Sequence, residues 1–392
     1  MSSYKARVEE LRAVLDAEVI DFKKLRKIVF NGCPSETGLR PKCWKLLLYY
    51  LPKNRSEWDK ELKKQRATYV QFIDEMIIKP GTEASENGGV EDVTFDDHPL
   101  NPNPESKWRA YFKDNEMLLQ IDKDCRRLCP DLNFFQKATE YPCNRLCGEN
   151  SFETLRKRVE QCVLHSESVS QNRLGITNMA TSRRKASDEY MPLPDGQEAH
   201  WEVCERILFV YAKLNPGLGY IQGMNEILGP IYFTFASDKD KDCKEFAEAD
   251  SFFCFTNLMS EIRDNFIKTL DDSQCGIGNL MNQLMTTLKE TDSTLWYKLK
   301  EQDLKPQFYA FRWLTLLLSQ EFPLPDVLRI WDSLFADDKR FNFLIKVGCA
   351  MLLLLKQDLL MGDFPHNMKL VQNFPYTTID VQVVIKKAVE IR

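Results

Sequence analysis

Histidine is nearly missing from this chain, with 4 in 392 residues, and glycine is scarce at 16. So few histidines, with no Cys-x-x-Cys or His pair to complement them, speak against a zinc site. The nearest cysteine pairs, Cys125/Cys129 and Cys143/Cys147, stand alone. Glycine at roughly 4% against a usual ~7% disfavours many short strands and hairpins, and favours long helices. Long apolar runs are absent too: the longest, Val347 to Leu355 with Gly348 inside it, is too short to span a bilayer. No basic stripe of useful length exists and the net charge is -5, so nucleic acid is not an expected partner.

Other signatures are missing as well. The start, MSSYKARVEEL, has no apolar core of a secretory signal, and the end, KKAVEIR, offers no prenylation cysteine. The expectation is a cytoplasmic protein with free thiols among its 12 cysteines, making no direct membrane insertion. There is no GxxxxGK phosphate loop, no H-E-x-x-H and no G-x-S-x-G. Self-contained enzyme chemistry therefore has no visible machinery, and no cofactor or metal is expected.

What is present is helical periodicity in a chain of ordinary composition, 43% hydrophobic and 28% charged. Val8, Leu11, Leu15 and Val19 predict an amphipathic helix over 4–20. Pro41 suits the first turn of a helix carrying Trp44, Leu47 and Leu48. A further helix is expected from Glu57 to Ile78. Residues 80–105, rich in Gly, Pro, Asn and acids, read as a surface connection. Ser106 can cap the next helix, with Trp108, Tyr111 and Phe112 on its buried side. Leu118, Ile121, Cys125 and Leu128 then form a core stripe. That spacing puts Asp124 and Arg127 at the edge of the stripe and points Arg126 nearly away from the core. Residues 164–195 have low hydrophobicity and no sustained period, and read as a flexible insertion in which Ser187 follows a basic Arg184-Lys185.

Helices are expected from Ala199 to Leu214 and over 247–270. A pair at Gln307–Glu321 and Asp326–Phe335 is split by Pro323 and Pro325, with Trp313 and Trp331 packing between. Arg312 and Asp332 are read as structural partners there, as are Arg40 and Trp44 upstream. The last helices are placed at 341–361 and 376–391.

The chain is organised around Asn215–Glu226, NPGLGYIQGMNE. Asn215-Pro216-Gly217 is a turn signal, and Gly219 and Gly223 flank Tyr220-Ile221-Gln222. A long amide on such a loop needs partners for two donors and an acceptor, so Gln222 either bonds nearby backbone or addresses something outside.

Ile121-x-x-Asp124-x-x-Arg127 together with Tyr220-x-Gln222 resembles the paired signature of the TBC family, the Rab GTPase-activating proteins. Gly38-Leu39-Arg40 with Trp44, Phe311-Arg312-Trp313, and Asp326-Val327-Leu328-Arg329-Ile330-Trp331-Asp332 follow in family order. The resemblance implies an all-α, V-shaped fold of two helical subdomains with catalytic fingers in the groove. It places the domain at 32–346, between a helical extension at 1–31 and a helical segment at 347–392. It further implies that Arg127 stabilises transition-state charge and that Gln222 orients the attacking water. Asp124 would hold Arg127, while Ile121, Tyr220, Gly223 and Asn225 support the two motifs. The partner would be a GTP-bound Rab that carries the nucleotide and Mg2+ itself and supplies any membrane contact during vesicle trafficking. A Rab-binding effector without catalysis, and a helical scaffold, stay open as alternatives.

Overall fold

A computed structural model of the chain describes residues 2–77, 107–143, 155–156, 158–160, 193–194, 196–267 and 276–391. The surface connection at 80–105, the Ser106 cap and the Ser187 site lie outside the described residues, as does the insertion at 164–195 apart from 193–194. Among the described residues the regular structure is helical, with isolated bridges at Val19–Asn54 and Ala138–Ala199 and no strand. The chain is all-α.

In order the helices are α1 (Ser2–Leu15), α2 (Phe22–Phe30), α3 (Leu39–Leu47), α4 (Trp58–Met76), α5 (Lys107–Cys125) and α6 (His200–Leu214). Next come α7 (Met224–Ala236), α8 (Lys241–Glu245), α9 (Ala247–Ile262), α10 (Ile277–Thr291), α11 (Ser293–Glu301) and α12 (Ala310–Thr315). The last are α13 (Leu324–Ala336), α14 (Arg340–Leu354), α15 (Lys356–Met361), α16 (Phe364–Gln372) and α17 (Val381–Glu390). They fall into two compact units, Met1–Lys64 with Glu226–Arg392, and Gln65–Asn225.

The first unit is built on aromatic packing around a buried acid. Trp44, Trp313 and Trp331 are wholly buried. The Trp44 ring lies 6.0 Å from Trp331 and 5.0 Å edge-on to Phe335. Asp332, with no exposed surface, accepts from Trp44 Nε1 at 2.8 Å, from the Cys33 amide at 2.8 Å and from Arg40 Nη2 at 3.1 Å. A buried carboxylate is tolerated only when such donors replace its hydration. Arg312 has a different partner: it grips Glu321 at 2.6 and 2.9 Å and donates to the Gln372 carbonyl. Arg312 and Asp332, expected as partners, thus sit in separate networks.

Several expected helices have other bounds. The first ends at Leu15: residues 18–20 pair with 53–55 instead, through the Ile20 amide to the Lys53 carbonyl and the Arg55 amide to the Glu18 carbonyl, before Asp21 caps α2 by accepting from the Lys24 amide. Val19 consequently leaves the stripe and is exposed, while Val8, Leu11 and Leu15 stay buried. The helix expected over 307–321 shrinks to α12, and Leu317 and Leu318 take positive φ, 51° and 63°. That irregular backbone has a partner, since Trp331 Nε1 donates to the Leu317 carbonyl at 2.9 Å. Pro325 starts α13 instead of preceding it, where a missing amide proton costs nothing. At the C-terminal end α14 breaks before α15, and α16 intervenes before α17. Among the described residues, Cys33, Cys43, Cys125, Cys243, Cys254 and Cys349 are buried free thiols. Among the described residues no helix is long and apolar enough to cross a membrane.

Candidate functional site

Both signature segments lie in the Gln65–Asn225 unit. Its frame is α5 packed on α6. Leu118, Ile121, Cys125 and Leu128 are all essentially buried, as their spacing predicts. Phe112, expected on the buried side, is instead 47% exposed, and Tyr111 is half-buried.

Helix α5 stops at Cys125, so Arg126 and Arg127 sit in the turn that follows and not on the helix. The Arg126 amide makes the last bond of helical reach, to the Asp122 carbonyl at 3.0 Å. The next two amides tighten, Arg127 to Asp124 and Leu128 to Cys125, and Cys129 turns the chain with φ 44°. The tightened turn lifts Arg127 off the protein: its side chain is 60% exposed.

Two bonds nevertheless hold it, Nε to the Lys123 carbonyl at 3.0 Å and Nη2 to Asp124 Oδ1 at 2.9 Å. Asp124 is buried and serves as a junction. Its Oδ2 accepts from the Tyr220 hydroxyl at 2.8 Å, and its backbone carbonyl accepts from Asn225 Nδ2 at 3.2 Å. Oδ1 of Asn225 lies 3.4 Å from the same hydroxyl. An exposed ion pair contributes only about 0–1 kcal/mol to stability. The network's effect is therefore on orientation, since a buried carboxylate whose other oxygen is fixed by Tyr220 offers the guanidinium one position.

The second segment leaves α6 at Leu214. Asn215 closes the turn by accepting from the Gly219 amide at 2.7 Å and donating its side-chain amide to the Tyr211 carbonyl at 2.8 Å. Gly219 has φ 65° and Gly223 φ 102°, and the latter value is one that residues with a Cβ rarely adopt. These two glycines bracket a bend that buries Tyr220 and leaves Gln222 exposed, just before Met224 opens α7. Tyr220 and Asn225 point inward to Asp124, and Gln222 lies between them in sequence. Arg127, Asp124, Tyr220 and Asn225 are thus joined by direct bonds, with Ile121 buried beneath, and Gln222 stands outside that network.

Arg126 departs most from expectation. Its side chain is 17% exposed and its Nε lies 2.9 Å from both Asp122 oxygens. Its guanidinium sits 4.7 Å from the centre of the Trp201 ring. The four-residue spacing of Asp122 and Arg126 was a visible ion-pair signal, whereas Trp201 reaches them from another helix. Burial raises the Asp122 carboxyl from its ordinary value, with Arg126 pulling the other way. Glu205, on α6 nearby, is 1% exposed, and its Oε1 has no hydrogen-bond partner. Burial first, then the Asp122 and Glu202 carboxylates, push its carboxyl well above the usual range.

Comparison with known proteins places these segments in context. The Rab-GTPase-TBC domain profile matches residues 188–360, which takes in Gln222 and begins beyond Arg127. The chain is 60% identical to TBC1 domain family member 13 of Homo sapiens over all of this chain and 99% of that protein. The Mus musculus protein of the same name matches to the same extent. Among solved structures, the Ypt/Rab-GAP domain of Gyp1p superposes with a TM-score of 0.67, covering 99% of this chain and 98% of that one. At 21% identity that likeness speaks to the fold alone.

Proposed function

The chain belongs to the Rab-GTPase-TBC domain family, and we propose that it accelerates GTP hydrolysis by a Rab-family small GTPase, supplying Arg127 and Gln222 in trans. The observation that carries this reading is an exposed guanidinium held by a buried carboxylate whose other oxygen accepts from Tyr220. A solvated surface arginine needs no such support. As charge spreads over the γ-phosphoryl oxygens in the transition state, a cation inserted from a partner stabilises it, and a preset cation loses less freedom in doing so. Gln222 supplies the second requirement. Its carboxamide donates and accepts together, so it can align the attacking water toward phosphorus. The Rab is recognised in its GTP-bound state and brings nucleotide and Mg2+. It also recruits the chain to the endomembranes where vesicle trafficking takes place.

The test is single-turnover GTP hydrolysis across a panel of GTP-loaded Rabs. Acceleration by the parent chain, lost in both Arg127→Ala and Gln222→Ala with Rab binding retained, is the expected result. For Arg127→Ala the loss should be on the order of 10³–10⁵-fold, the scale of arginine fingers supplied to other small GTPases. Binding without acceleration by the parent chain would overturn the catalytic reading in favour of an effector.

A further inference from the structure

Two arginines adjoin at the end of α5, and the fold uses them in opposite ways. Arg127 projects, while Arg126 is drawn in between the Asp122 carboxylate and the Trp201 ring. The backbone between them is a tightened turn whose helical bonding ends at the Arg126 amide. Beyond it the chain is fixed by buried Leu128 and bent at Cys129. The Arg126 side chain is therefore a second tie on the helix side of Arg127, beside the Asp124 junction.

Among the described residues, the charged neighbours on the facing helix are engaged elsewhere. Glu202 is paired with Arg156 at 2.6 Å and Glu198 with Arg206. Glu205 has one oxygen without a partner beside this cluster. Arg156 and Arg206 are thus committed to carboxylates of their own, and among the described residues Arg126 is the guanidinium that meets both Asp122 and Trp201. An ammonium in its place could meet the carboxylate but has no plane to lay on the indole.

We propose that Arg126 is a positioning residue: clamped by Asp122 and Trp201, it sets the turn from which Arg127 reaches the nucleotide. The proposal rests on the reading of Arg127 as the presented group. Arg126 itself touches neither nucleotide nor Rab.

Single-turnover hydrolysis is measured for Arg126→Gln, Arg127→Ala and the double variant. Arg126→Gln should slow the hydrolytic step by about tenfold or more at saturating activator, with half-saturation little changed. On an Arg127→Ala background it should cost less than about twofold more, since residues acting through one another are not additive. Losses that multiply, or a wild-type rate for Arg126→Gln, overturn the proposal. A second readout needs no Rab: the Arg127 Nε–Hε resonance in 15N-arginine-labelled protein. Its bond to the Lys123 carbonyl should make it ordered and slow to exchange, and Arg126→Gln should abolish that protection. An unchanged resonance overturns the proposal. Should Arg126→Gln fail to fold, Arg126→Lys keeps a cation against Asp122. It should still loosen the Arg127 resonance, and wild-type order and rate in it would count against the clamp. If Arg127→Ala hydrolyses normally while Arg126→Gln loosens Arg127, the functional reading fails and the clamp stands.

Discussion

The hydroxyl of Tyr220 donates to Oδ2 of Asp124 at 2.8 Å, across 96 positions of sequence. Asp124 Oδ1 meanwhile receives Arg127, so one buried carboxylate joins the two motifs that the sequence keeps apart.

Removing that hydroxyl isolates its contribution. Tyr220→Phe keeps the ring and deletes one hydrogen bond to a charged group, a loss of about 1.5–3 kcal/mol if borne wholly by the site. Hydrolysis should slow by roughly ten- to a hundredfold, with Rab affinity little altered. Equal rates for parent and variant in single turnover would show that Asp124 holds Arg127 unaided.

Arg127→Lys separates charge from shape. Arg127 binds Lys123 through Nε and Asp124 through Nη2, a geometry that a single ammonium cannot reproduce. The lysine variant should lose almost as much acceleration as the alanine variant on the same Rab. Near-parental turnover would instead mean that any cation at this position suffices.

Glu205 offers a pH test. Its carboxyl is raised above the ordinary value of 4.5 in the folded chain. The unfolded chain therefore releases its proton first as pH climbs, and stability falls from about pH 4.5 upward until the folded pKa is reached. Glutamine carries no proton to lose. Glu205→Gln should thus raise Tm relative to the parent near pH 7.5, and the gap should narrow as pH approaches 4.5. A gap independent of pH would show that Glu205 is not held protonated.

Asp332 governs the other unit. Asp332→Ala strands the Arg40 guanidinium, the Trp44 indole N–H and the Cys33 amide. Breaking a buried ion pair costs about 3–5 kcal/mol, and one-fifth exposure of Arg40 favours the lower end. Urea unfolding should show a lower midpoint of that order. A change below about 1 kcal/mol would mean that water takes over the lost bonds.

Much of this was legible in the residues themselves. The stripe Leu118, Ile121, Cys125, Leu128 needed only helical periodicity. The bend holding Gln222 needed only Asn215-Pro216-Gly217 and two glycines, because backbone sterics act between neighbours. Helix ends were read less well. The first helix stops at Leu15, short of the apolar spacing that runs on to Val19, which instead bridges Asn54, and α12 ends just before Leu317, whose carbonyl Trp331 takes.

The sequence by itself determined which segments are helical and where the loop of Gln222 bends, since those depend on contacts a few residues long. Only tertiary structure decided which of two adjacent arginines faces outward. That choice depends on Trp201, Tyr220 and Asn225, whose distance along the chain carries no record of the buried bonds they make.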